Sequence, residues 1–193
     1  MKQTLILFMQ DEPGVLNRIA SLVRRRNFNI DSIVAGRTEK EGITRMTLVV
    51  NEPNIAKRKT IYNNIKGLVD VYDVVDATGQ DCHVREHALV KVSVKGKEIK
   101  EIKDLISEGN CRILDNNPEA MILELSGNEE IVEGTIKILE KYNILELLRS
   151  GKMAMISGNE EKNKPKLIKS EPYWVMNKKI CWRLNERIKY KRF

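Results

Sequence analysis

The sequence predicts an α+β protein made of two ferredoxin-like βαββαβ sandwiches in tandem, followed by a basic C-terminal tail. Three observations carry this expectation. The order strand, helix, strand, strand, helix, strand is legible over residues 1–78, it recurs over 85–156, and residues 157–193 depart from both in pattern and charge. The stretch 79–84 is the expected linker. At 193 residues, with 41% hydrophobic and 32% charged side chains, the chain can bury a core in each unit. No run approaches the ~18 uninterrupted apolar residues of a membrane span. Met1, Lys2, Gln3 and Thr4 lead directly into a strand pattern rather than a signal peptide, so a cytoplasmic location is expected.

Each element has a local reason. Residues 4–10 form a short apolar run suited to a buried strand, interrupted by Asp11-Glu12-Pro13-Gly14. A helix then places Val15, Leu16, Ile19, Ala20, Leu22 and Val23 on one face, with Arg18, Arg24, Arg25 and Arg26 outside it. Pro13 suits its first turn, where no backbone N–H is needed. Strands are expected at 30–38 and 44–50 around a charged turn at Lys40, Glu41 and Gly42, then a helix at 55–68 and a closing strand at 69–77. In the second unit a strand at 88–94 precedes a helix at 97–107 carrying Ile99, Ile102, Leu105 and Ile106 on one side. A hairpin at 111–115 and 120–126 turns over Asn116-Asn117-Pro118-Glu119. A helix at 129–141 and a strand at 144–149 complete the unit, with 153–156 as an extra strand.

Charge and cysteine placement narrow the function classes. The net charge of +7 resides in the tail: residues 1–78 carry +3, residues 79–156 carry −3 and residues 157–193 carry +7. A nucleic-acid partner is therefore disfavoured for the first 156 residues. Basic residues in the tail alternate with Tyr173, Trp174, Trp182, Tyr190 and Phe193, a mixture able to bind single strands. The Lys/Glu/Asn/Pro composition of 159–172 instead reads as a flexible extension. Cys82, Cys111 and Cys181 share no short spacing, so neither a disulfide framework nor a metal knuckle is expected. His83-Val84-Arg85-Glu86-His87 matches an inverted zinc-protease string, but that chemistry needs a helix, and the string lies between a linker and a strand. No glycine-rich phosphate loop and no catalytic constellation is present, so no catalytic and no metal-binding residue is assigned.

Gln10-Asp11-Glu12-Pro13-Gly14-Val15-Leu16-Asn17-Arg18-Ile19-Ala20 is followed by Arg25-Arg26-Asn27-Phe28-Asn29-Ile30-Asp31-Ser32 and Arg45-Met46-Thr47-Leu48-Val49-Val50. Later come Leu68-Val69-Asp70-Val71 and Glu86-His87-Ala88-Leu89-Val90-Lys91-Val92. Together, over about residues 3–156, these blocks resemble the acetolactate (acetohydroxyacid) synthase small subunits, whose first half is an ACT domain. The resemblance implies a non-catalytic regulatory subunit for branched-chain amino acid biosynthesis. It implies a large catalytic subunit as partner, holding thiamine diphosphate, Mg²⁺ and FAD and acting on pyruvate, and feedback inhibition by valine or a related amino acid. It also implies a homodimer through the ACT domains, with an effector pocket between protomers where loop 11–16 of one faces Asn29 and Ile30 of the other. A free-standing ACT-type sensor of another enzyme or of transcription is the alternative.

The effector-binding residues expected on this basis are Asp11, Gly14, Val15, Leu16, Asn29 and Ile30. Their chemistry suits an amino acid. A helix N-terminus exposes unpaired N–H groups and partial positive charge to a carboxylate, Gly14 leaves room for close backbone approach, and the Asn29 amide can donate to a carboxylate or accept from an ammonium. The family usually has Asn where this chain has Asp11. A carboxylate there repels the ligand's own at ~4–5 Å by on the order of 1 kcal/mol in water and several at lower effective dielectric. Either Asp11 turns to the ligand ammonium or feedback is weak.

Overall fold

The computed structural model describes residues 2–94, 98, 100–102 and 111–158. The first unit runs β1 (Lys2–Gln10), α1 (Val15–Arg25), β2 (Asn29–Arg37), β3 (Ile43–Asn51), α2 (Ile55–Lys66) and β4 (Val71–Asp76). The second runs β5 (Cys82–Ser93), β6 (Cys111–Asn116), β7 (Ala120–Gly127), α3 (Glu129–Leu139), a 3₁₀ turn (Glu140–Tyr142), β8 (Ile144–Arg149) and β9 (Met153–Ile156). The first sheet has the order β2-β3-β1-β4 and the second β6-β7-β5-β8, with β9 added to β5. All pairings are antiparallel, so the two sheets repeat one topology. Between β5 and β6, Glu98 and Lys100, Glu101 and Ile102 are helical. Ile99, Leu105 and Ile106 of the expected helix face, and tail residues 159–193 with Cys181 and the five aromatics, lie outside the described residues.

Period-two alternation sets the faces. Leu5, Leu7 and Met9 of β1 oppose Leu48, Met46 and Thr44 of β3, and meet Val15, Ile19, Leu22 and Val23 of α1 and Ile61 and Ile65 of α2 in one buried core. The second core gathers Ala88, Val90 and Val92 of β5, Met121, Leu123 and Leu125 of β7, Val132, Ile136 and Leu139 of α3, and Ile102. Asparagines start two helices: Asn54 Oδ1 accepts from the N–H groups of Ala56 and Lys57, and Asn128 Oδ1 from that of Ile131.

Three local expectations are corrected. Pro13 lies in the turn before α1 rather than in its first turn. The closing strand starts at Val71, not 69, because Val71 N–H closes a turn onto the Leu68 carbonyl after Gly67 ends α2. β5 starts at Cys82, so 82–84, expected as linker, are strand. The physical reason is burial against the other unit. Cys82, Val84, Ala154 and Ile156 cover the helix-free face of the first sheet, packing on Ile6, Phe8, Val75 and Ala77. The same side of β5 then supplies Ala88, Val90 and Val92 to the second core. One strand thus serves both units.

The strand also disposes of the protease-like string, since Glu86 faces opposite to His83 and His87. His87 Nε2 meets Glu124 at 3.1 Å, while Glu86 is buried and bonded to Arg149 at 2.7 and 2.8 Å. Among the described residues no group of three His, Cys, Asp or Glu side chains is placed to hold a metal ion. Burial holds the Cys111 thiol up at about 11, so it is not a thiolate at neutral pH. No described helix is long and apolar enough to cross a membrane.

Candidate effector site

The β1–α1 loop begins where β1 leaves the sheet. Asp11 N–H donates to the Gly42 carbonyl at 3.0 Å, and Thr44 Oγ1 donates to Asp11 Oδ1 at 2.9 Å, fixing the carboxylate against β3. Arg37 Nε lies 3.7 Å from Asp11 Oδ2, an exposed and therefore weak ion pair. Gly14 caps α1 in the left-handed region at φ 89°, and the helix has no side-chain cap. Val15 N–H turns back to the Glu12 carbonyl at 3.4 Å, while no side chain caps the N–H groups of Leu16 and Asn17, which a helix cannot pair internally. Val15 is buried and offers only its backbone, whereas Leu16 is half exposed.

Arg18 completes this corner. Its Nε donates to Asp70 at 2.5 Å, and its Nη1 lies 3.7 Å from where a Cβ on Gly14 would sit. A guanidinium therefore stands beside the open helix start, and both favour a carboxylate. Burial, with Asp70 and Glu12 nearby, raises the Tyr72 phenol above its ordinary value. A groove of about 560 Å³ lies between this loop and the β2–β3 hairpin, lined by Asp11, Glu12, Arg37, Lys40, Glu41 and Gly42 among others. Its mixed charge suits a zwitterion better than a simple anion.

Asn29 and Ile30 lie elsewhere in the chain. Asn29 opens β2 opposite Asn51, which itself opposes Lys2 at the start of β1, whereas loop 11–14 follows the end of β1. At ~3.3 Å per residue, the nine residues of β1 separate the two groups by roughly 25–30 Å. Within one chain, Asp11, Gly14, Val15 and Leu16 are brought together, and Asn29 and Ile30 are not. Sequence reasoning missed Thr44 and Arg37, whose pairing with Asp11 crosses strands. It placed Arg18 on the outer helix face, although Asp70 in the Leu-Val-Asp-Val block was a partner of opposite sign.

Two sandwiches of this topology, the first with an open glycine-led helix start, define a tandem ACT-type protein. Residues 5–73 match the model of the AHAS small subunit-like ACT domain and residues 85–158 that of the small subunit of acetolactate synthase. A probable acetolactate synthase small subunit of Archaeoglobus fulgidus is 35% identical over 161 residues, covering 83% of this chain and 100% of the relative. The acetolactate synthase small subunit of Bacillus subtilis is 32% identical, covering 84% and 94%. The crystal structure of the acetolactate synthase small subunit from Thermotoga maritima superposes with a TM-score of 0.75 at 29% identity, covering 83% of this chain and 99% of that one. The chain belongs to the acetolactate synthase small-subunit family.

Proposed function

We propose that this chain, itself without an active site, raises the activity of the large subunit in the cytoplasm and delivers feedback inhibition by valine or a related branched-chain amino acid. Carboligation of pyruvate takes place on the large subunit, with thiamine diphosphate, Mg²⁺ and FAD held there; this chain's residues take no part in that chemistry. Activation requires that the small subunit bind the competent conformation of its partner more tightly than the incompetent one.

The observation that carries the effector reading is the uncapped start of α1 at Gly14, with Arg18 beside it and Asp11 anchored by Thr44. The ligand carboxylate sits at the first-turn N–H groups, Asp11 receives the ammonium, and Leu16 meets the apolar side chain. The separation of Asn29 from this corner has a simple resolution. β2 is an edge strand, and its unpaired side is completed by a second copy related by a twofold axis. Antiparallel pairing of the two β2 strands carries the partner's Asn29 to the Arg37 end, beside Asp11. The pocket then forms only in the homodimer.

The expected outcome for Asp11→Asn is about tenfold weaker valine binding, equivalent to ~1.4 kcal/mol, because the ammonium loses a charged acceptor. Calorimetric titration with valine, leucine and isoleucine, on protein that sizing shows to be dimeric, is the check. Tenfold tighter binding by Asp11→Asn places Asp11 beside the ligand carboxylate instead. No heat with any of the three amino acids in the unsubstituted protein removes this pocket.

A further inference from the structure

Strand β3 has two jobs on adjacent residues. Its alternation puts Thr44, Met46, Leu48 and Val50 toward the helices and Arg45, Thr47 and Val49 toward the opposite face. Thr44 holds Asp11 in the candidate site. Arg45, the next residue, crosses to the face covered by β9: its guanidinium lies 6.0 Å from the centre of the Phe8 ring, and Nη2 donates to the Ala154 carbonyl. Thr47 Oγ1 accepts from the Ala154 N–H at 3.4 Å.

These contacts satisfy a specific need. Ser157 N–H bonds the Asp81 carbonyl, so the alternating pattern of the antiparallel pair turns the polar groups of Ala154 away from β5. Ala154 is 1% exposed, and without Arg45 and Thr47 both of its backbone groups are orphaned in a buried seam. Arg45 itself is half-buried, its pKa lowered by that burial, and no carboxylate pairs with it among the described residues. The other end of the candidate site is tied to the second unit as well. Asp31, two residues after Asn29, pairs with Lys2 at 3.0 Å, Lys2 with Glu129 at 3.5 Å, and Glu129 with Lys152 at 2.5 Å, while Lys152 N–H reaches Ser32 Oγ at 3.4 Å.

We propose that Arg45 is the positioning residue that passes effector binding in the first unit to the second, by clamping β9 onto β3. The proposal rests on the effector reading above. A displacement of β3 at Thr44 moves Arg45 and Thr47 with it, β9 follows through Ala154, and β5, paired with β9 over Cys82–Arg85, carries the shift into the centre of the second sheet. Lys2, Asp31, Glu129 and Lys152 hold the seam at its other edge.

The experiment uses the full chain assembled with its large subunit, comparing the unsubstituted protein with Arg45→Ala, Arg45→Lys and Thr47→Val. Valine affinity is measured by calorimetry, inhibition at saturating valine by acetolactate formation, and the state of β9 by hydrogen exchange over 153–156. In Arg45→Ala the valine Kd stays within about threefold, maximal inhibition falls by at least half, and β9 exchange no longer responds to valine. Arg45→Lys, which keeps the charge and a donor for the Ala154 carbonyl, restores part of the inhibition. Full inhibition of Arg45→Ala with an unchanged β9 response overturns the clamp, and so does parallel loss of affinity and inhibition in a folded variant. If Arg45→Ala does not fold, Thr47→Val carries the same comparison. Failure of the unsubstituted protein to bind any branched-chain amino acid is a failure of the effector reading, seen before any variant is made, and the clamp falls with it.

Discussion

Gly14→Asp is expected to weaken valine binding by at least about a hundredfold and to abolish feedback inhibition, while the protein still folds. Gly14 sits at φ 89°, where a β-carbon costs on the order of 1–2 kcal/mol, and a Cβ there meets nothing nearer than Arg18 Nη1 at 3.7 Å. The added carboxylate lies within reach of the same N–H groups and the same guanidinium proposed to hold the ligand. It competes with the ligand intramolecularly and repels its carboxylate, by ~4 kcal/mol at 4 Å and an effective dielectric of 20. Gly14→Asn separates the two contributions, since Asn tolerates left-handed backbone and carries no charge. The Asn variant should keep measurable, weaker binding. Calorimetry and a thermal melt of both variants are the check, and an Asp variant that titrates like the unsubstituted protein removes Gly14 from the site.

The second large effect concerns stability. Arg149→Met is expected to destabilise the second unit by about 2–4 kcal/mol, somewhat below the usual cost of breaking a buried pair because Arg149 is 35% exposed. Glu86 is 3% exposed, and both its oxygens accept from Arg149, at 2.7 and 2.8 Å, while Arg149 Nη1 reaches Glu133 at 2.9 Å. Hydrogen bonding to Glu86, then to Glu133, raises the Arg149 pKa further above its ordinary value, so neutralising the arginine by pH gives no relief. Removing it strands a desolvated carboxylate. The double variant Glu86→Leu, Arg149→Met should recover most of the loss, because it removes both charges together. Urea unfolding followed by a probe in the second unit measures both. A single variant within 0.5 kcal/mol of the parent, roughly the scatter of ordinary surface changes, shows that water or another group serves Glu86.

Local pattern carried much of this fold. Residues 144–149 and 153–156 are the strands they were expected to be, because Asn143 and Gly151, both at positive φ, bound them. Residues 82–84 were misread as linker because nothing near them reveals that Cys82 and Val84 bury themselves on Ile6 and Phe8 of another sheet. The site divided along the same line. Asp11, Gly14, Val15 and Leu16 are sequential and were legible as a helix start, although the left-handed backbone of Gly14 was not. Thr44 lies 33 positions from Asp11 and Asp70 lies 52 from Arg18, so the side chains that fix the corner belong to a distant strand and a distant turn. Periodicity reports which face a residue takes, and not which residue meets it there. The same holds for Arg45 and Thr47, whose alternation was visible while their partner, Ala154, was 109 and 107 positions away.

The proposed role is regulation of a catalysis that this chain does not perform. Its most direct measurement is the rate of acetolactate formation from pyruvate by purified large subunit, by this chain alone, and by the two mixed at increasing ratio, with and without valine. The expected result is no product from this chain alone, a several-fold rise in the large subunit's rate that saturates with added chain, and reversal of that rise by valine. Turnover by the isolated chain, or a large-subunit rate unchanged at saturating small subunit, contradicts it.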